Sequence, residues 1–202
     1  MEAVRGQEEE RGKIPSFETI PMTQFFQKLK ACNEACKFVF VADMTGKIAT
    51  ACEYGDNTSL NDFHAEVKKC IVQKKQSKED VQEKLRKSFA FNMKAGKILV
   101  INCDTMVPSF LDDYNSKLLP LKDLLFDQTK MYDQETKVYK GILRPEEDKD
   151  DEGNKGMYFM RDTFMVVILA NMSDPDTDDE IIQMLLDQVP NVEKFQKYYV
   201  TD

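Results

Sequence analysis

The sequence predicts an α/β fold in three layers, a mainly parallel sheet with helices on both faces. Three observations carry this. Phe38-Val39-Phe40-Val41, Ile98-Leu99-Val100-Ile101 and Phe164 to Ala170 are apolar without interruption, the pattern of strands covered on both faces. Amphipathic helical stretches separate them, and strands alternating with helices imply right-handed crossovers between parallel strands. Hydrophobic residues make up 42% of the 202, enough to fill the core of one such domain.

The elements follow in order. Residues 1–14 are charged and nearly free of apolar side chains, so a disordered tail is expected there. Residues 15–202 are expected to form a single domain. Met22, Phe25, Phe26 and Leu29 recur at i, i+3, i+4 and i+7, the stripe of a first helix. The first strand covers Lys37 to Ala42, and Asp43 to Lys47 form a turn before Ile48 to Tyr54. Ser59 can cap a helix with Phe63, Val67, Cys70 and Ile71 inward. Ser77 caps the next, with Glu79 and Asp80 at its positive end and Val81, Leu85, Ser88 and Phe89 inward; Gly96 stops it. The central strand follows and ends at Asn102 and Asp104. Ser109 to about Phe126 reads as a helix interrupted by Pro120. Residues 127–144 show no clear period, and 146–156 (EEDKDDEGNKG) read as a solvated acidic loop. The last apolar strand ends at Asn171. Asp178 to Gln188 then form a helix with Ile181, Ile182, Leu185 and Leu186 inward, and Val192 to Val200 form an edge strand or a short helix.

The net charge of −8, with basic and acidic residues interleaved, argues against nucleic acid or an anionic membrane as the main partner. Five cysteines, odd in number and without CxxC spacing, read as reduced thiols of the cytoplasm. No apolar run approaches the roughly 18 residues that a membrane span needs.

Chemistry should gather where strands of such a sheet end. Val41 to Ile48 place a Gly46-Lys47 pair after a strand, as a phosphate loop would. That loop also needs an early glycine and a Ser or Thr after the lysine, and Val41 and Ile48 stand there instead. The competing reading is a β-hairpin, with Gly46 in the left-handed position and Ile48, Thr50 and Cys52 on one side; it has the better case. Asp104 resembles the end of a magnesium-organising strand and Asn171 a polar sensor beside it, yet without a phosphate loop or a catalytic glutamate beside the aspartate the favoured reading is that Asp104 caps the turn into the Ser109 helix. Lys47, Asp104 and Asn171 are therefore the cofactor-binding residues only of an alternative, nucleotide-dependent enzyme. Neither acidic run meets the helix–loop–helix calcium pattern, because its twelfth position is Phe159 counted from Asp148 and Leu185 counted from Asp174. His64 is the only histidine and reads as a surface or half-buried imidazole. Cys32 and Cys36 lack the second pair that zinc requires. No catalytic residues, metal or cofactor are assigned.

Leu99 to Leu111 (LVINCDTMVPSFL) resembles the strand and turn of the late AAA modules of dynein heavy chains. More broadly, residues 37–190 resemble the C-terminal domain of ciliary proteins that carry a calmodulin-binding IQ motif and ankyrin repeats. The matching features are the Asp43-Met44-Thr45-Gly46-Lys47 turn, Leu85-Arg86-Lys87, the Met93 to Val100 approach to the central strand, Ile142 to Pro145, and the strand from Phe164. The resemblance implies a degenerate P-loop nucleotide-hydrolase architecture without hydrolysis, in a cilium or another microtubule assembly. The expected role is a non-enzymatic structural or interaction subunit with other protein subunits as partners. A further possibility is an adaptor whose 146–156 loop recruits basic partners.

Overall fold

The computed structural model describes residues 17–174 and 179–202. The tail expected at 1–14 and part of the aspartate run before the last helix lie outside them. The six-stranded sheet has β1 (Glu18–Pro21), β2 (Val39–Asp43), β3 (Thr58–Asn61), β4 (Ile98–Asp104), β5 (Met165–Asn171) and β6 (Gln196–Thr201) in the order β1-β6-β2-β5-β4-β3. Every pairing is parallel. The helices are α1 (Phe25–Glu34), α2 (Ile48–Glu53), α3 (Phe63–Ile71), α4 (Lys78–Ala95), α5 (Gln128–Met131) and α6 (Asp179–Gln188).

The uninterrupted apolar runs are the inner strands. All of β2 is buried, as are the first six residues of β5 and the first four of β4, because helices cover both faces. From β1 through β2 to β3 the chain steps one way across the sheet, and from β3 through β4 and β5 to β6 it steps back. Right-handed crossovers then place α1 and α2 on one face. The same rule puts α3, α4, the long 105–164 connection and α6 on the other. The stepping direction reverses between β2 and β5, where the connections that leave adjacent strand ends diverge to opposite faces.

Capping fixes α4 as the sequence predicts. Ser77 accepts from the Asp80 amide while the Asp80 carboxylate accepts from the Ser77 amide, a reciprocal box that satisfies two otherwise orphaned donors. Gly96 ends the helix at φ +68°, wedged against Thr163 and Arg161. A fully buried Arg86 on α4 ties down the long connection. It donates to both Glu83 carboxylate oxygens, to both oxygens of Glu147 (2.6 and 2.8 Å) and to the Ile142 carbonyl (2.9 Å).

Several expectations are corrected. Ile48–Glu53 is a helix, so the 43–54 stretch is no hairpin; Ile48 and Cys52, four apart, are buried while Thr50 is exposed. Ser59 lies in β3, and Asp62 caps α3 by accepting from the Ala65 amide. Ile71 is 64% exposed rather than inward. The helix expected at 109–126 is a series of turns ending in one π turn, Leu121–Leu125, yet Phe110, Tyr114, Leu119 and Phe126 are buried as a core helix's residues would be. The C-terminal strand β6 is not at an edge, because β1 pairs with its outer side. β1 itself precedes the first helix and carries no apolar run. Among the described residues no helix is long and apolar enough to cross a membrane.

Candidate functional site

In open α/β sheets, ligands sit in the crevice beyond the strand ends where the connections diverge. Here that crevice lies between Asp43, last in β2, and Asn171, last in β5, which are register partners. Asp43 is only 2% exposed. Its Oδ1 accepts from the Thr45 amide (2.9 Å) and the Thr45 hydroxyl (2.7 Å), and its Oδ2 accepts from the Ile48 amide (2.9 Å). The turn from strand to α2 therefore folds around a carboxylate of its own. In a phosphate loop, backbone amides of such a turn aim at a bound phosphate. Here the anion is built in, and a phosphate would have to displace it.

The loops after β2 and β5 also meet beside the crevice. Gly46 has φ +68°, and a β-carbon there would stand 2.8 Å from Ser173 Oγ. That close approach of the loops after β2 and β5 is the reason for glycine at this position. Ser173 donates through its hydroxyl (2.7 Å) and its amide (3.1 Å) to Asn171 Oδ1.

Asn171 Nδ2 in turn donates to Asp104 Oδ1 (3.1 Å), and His64 Nδ1 lies 3.3 Å from Asp104 Oδ2. Asp104 sits at φ +51° beside an irregularity in the β4–β5 register, and its amide donates to Asn102 Oδ1. A chain of side chains thus runs from Ser173 through Asn171 and Asp104 to His64 across three elements. Two of the three residues predicted for the enzyme alternative, Asp104 and Asn171, come together. Lys47 does not join them; its ammonium pairs with Asp202 (2.6 Å) out in solvent.

Sequence reading missed the roles of Asp43 and His64. Asp43 carried one signal, a carboxylate directly after a buried strand and three residues before Gly46. His64 carried none, since only the parallel β3–β4 pairing brings the first turn of α3 against the end of β4.

The chemistry open to this edge is narrow. His64 and Asp104 have the parts of a proton-transfer pair, but among the described residues no hydroxyl or thiol hydrogen-bonds the imidazole. Burial, and then the Asp43 charge, push the Cys52 thiol up to about 12. Burial likewise raises Cys103, with Asp104 adding to it, so both stay protonated and poorly nucleophilic. Among the described residues no three His, Cys, Asp or Glu side chains converge to hold a metal ion. The acidic 146–156 loop is largely spoken for: Glu147 binds Arg86, Asp148 binds Lys140, Asp150 binds Asn154, and Asp151 pairs with Lys94 and Arg161. No protein-family model, curated protein or solved structure matches the chain.

Proposed function

We propose that this chain is a non-enzymatic structural or interaction subunit of a large cytoskeletal assembly, built on a nucleotide-hydrolase-like sheet without its chemistry. The ciliary, microtubule-associated setting comes from the sequence resemblance alone. One observation carries the non-enzymatic part: the Asp43 carboxylate occupies the amide turn that a phosphate would need. An anion entering there meets like charge, and the amides of Thr45, Lys47 and Ile48 are already bonded.

Calorimetric titration with magnesium-ATP and magnesium-GTP tests this. No heat of binding is expected at millimolar nucleotide. Micromolar affinity that disappears in Asp104→Ala would overturn the reading. The assembly is tested by purifying the protein from its native cell and identifying what accompanies it by mass spectrometry. Recovery of tubulin-associated subunits supports the setting; recovery as a lone chain sinks it.

The alternative is a nucleotide-dependent enzyme, an NTPase or a kinase, with an unorthodox loop. The convergence of Asp104, Asn171 and His64 favours it, and the outward pairing of Lys47 with Asp202 weighs against it.

A further inference from the structure

The end of α3 and the turn after it are basic, in a chain that is acidic as a whole. From Val67 to Lys78 there are five lysines and no acidic residue, in a protein of net charge −8. Lys69 pairs with Glu66 and Lys78 with Asp113. Lys68, Lys74 and Lys75 are exposed and form no ion pair with any described residue. Between them stand Ile71 and Val72, 64% and 70% exposed. The negative end of the helix accounts for Lys68 and Lys69, which sit over its last carbonyls. It does not account for Lys74 and Lys75, which lie beyond the helix, nor for two adjacent aliphatic side chains left in water.

The turn is nevertheless well ordered by its own hydrogen bonds. The amides of Val72 and Gln73 donate to the Lys68 carbonyl and that of Lys75 to the Lys69 carbonyl (2.9 Å), with Lys74 at φ +51°. Gln76 donates to the carbonyl and the carboxylate of Glu66, locking the return to α4. The three unpaired ammonium groups and the two aliphatic side chains are therefore presented by a fixed backbone, which lowers the ordering cost of a partner.

We propose that residues 68–75 form a docking surface for an acidic polypeptide segment that carries an aliphatic anchor. Lys68, Lys74 and Lys75 meet its carboxylates, and Ile71 and Val72 cover its apolar side chain. Charge complementarity selects the partner: the patch lacks counter-ions of its own, and a flexible acidic chain can supply one carboxylate to each ammonium. A bilayer fits less well, since three lysines and two short side chains fall below the two-signal anchoring that stable membrane attachment needs. This inference deepens the interaction-subunit reading and rests on it.

The test uses the full chain and a short fluorescein-labelled peptide of glutamates interrupted by leucines, read by fluorescence anisotropy. Binding is expected at about 50 mM salt and should weaken markedly by about 300 mM as the screening length shortens. Reversing all three charges (Lys68→Glu, Lys74→Glu, Lys75→Glu) should weaken it about tenfold or more. Ile71→Ser with Val72→Ser should weaken it at both salt concentrations. The equally charged control Lys37→Glu, Lys117→Glu, Lys155→Glu should leave it unchanged, and circular dichroism verifies that every variant is folded. No binding at low salt, or equal loss in both triple variants, overturns the proposal. Co-sedimentation with phosphatidylserine vesicles without peptide binding overturns it too. Nucleotide binding would defeat the non-enzymatic reading without altering the peptide result, so the two failures are distinguishable.

Discussion

Removing the carboxylate of Asp43 is the sharpest perturbation of the strand-to-helix turn. In Asp43→Ala three donors lose their acceptor: the amides of Thr45 and Ile48 and the Thr45 hydroxyl. The site is almost sealed from water, so the donors cannot all find solvent partners. Hydrogen bonds to a charged group contribute about 1.5–3 kcal/mol each, and the three share one acceptor and are not additive. A net destabilisation of about 3–4 kcal/mol is expected. Asp43→Asn should cost less, about 2 kcal/mol, because one amide oxygen still accepts while the new NH2 faces a donor. Urea denaturation of the wild type and both variants measures this directly. Phosphate supplies a second readout. In Asp43→Ala the amides point at an emptied anion site, so phosphate at ten times its Kd should return about 1.4 kcal/mol. The wild type should gain far less. Both variants within about 0.5 kcal/mol of the wild type would refute the claim that this carboxylate organises the turn.

Arg86→Met removes a fully buried guanidinium and leaves Glu83 and Glu147 without it. Glu83 keeps Arg144 at 3.0 Å, so the loss should fall near the low end for a broken buried pair, about 3 kcal/mol. A calorimetric Tm lowered by about 6–12 °C is the expected result for a chain of this length, and an unchanged Tm would show that the long connection does not depend on this arginine. The acid limb of stability has a defined origin. Burial tends to raise Glu66, but hydrogen bonds from Lys69, Lys84 and Gln76 outweigh it and hold the carboxyl at about 2. Arg86, against a smaller desolvation effect, holds Glu83 at about 2 as well. Groups lowered on folding stabilise above their unfolded pKa, so this contribution is present at neutral pH and is lost as pH falls from about 4.5 towards 2. Glu66→Gln should flatten the stability curve in that window, and an unaltered slope would contradict the assignment.

The central strands were legible because both-face burial writes itself into local composition: β2, β4 and β5 are the three apolar runs. The Ser77 cap and the Gly96 stop were legible for a similar reason, since capping involves residues three or four apart. β1 and β3 were not. Each has four residues and a single paired neighbour, with mixed polar and apolar side chains, so nothing within the segment distinguishes it from a turn. The hairpin expected at 43–54 failed on period: Ile48, Thr50 and Cys52 fit alternation, but Ile48 and Cys52 also fit one helical turn, and the parallel sheet demanded the helix. The edge residues Asp104 and Asn171 were found from their place after apolar runs. Their contact could not be, because 67 positions separate them.

By itself, the sequence determined which segments are too apolar to face water and where the longest helix starts and stops. Those are properties of a residue and its near neighbours. The tertiary structure alone decided the strand order, the reversal of stepping between β2 and β5, and the meeting of Gly46 with Ser173 across the resulting crevice. Each of these depends on backbone pairing between segments far apart along the chain, and the free energy of such pairing is not carried by either segment alone.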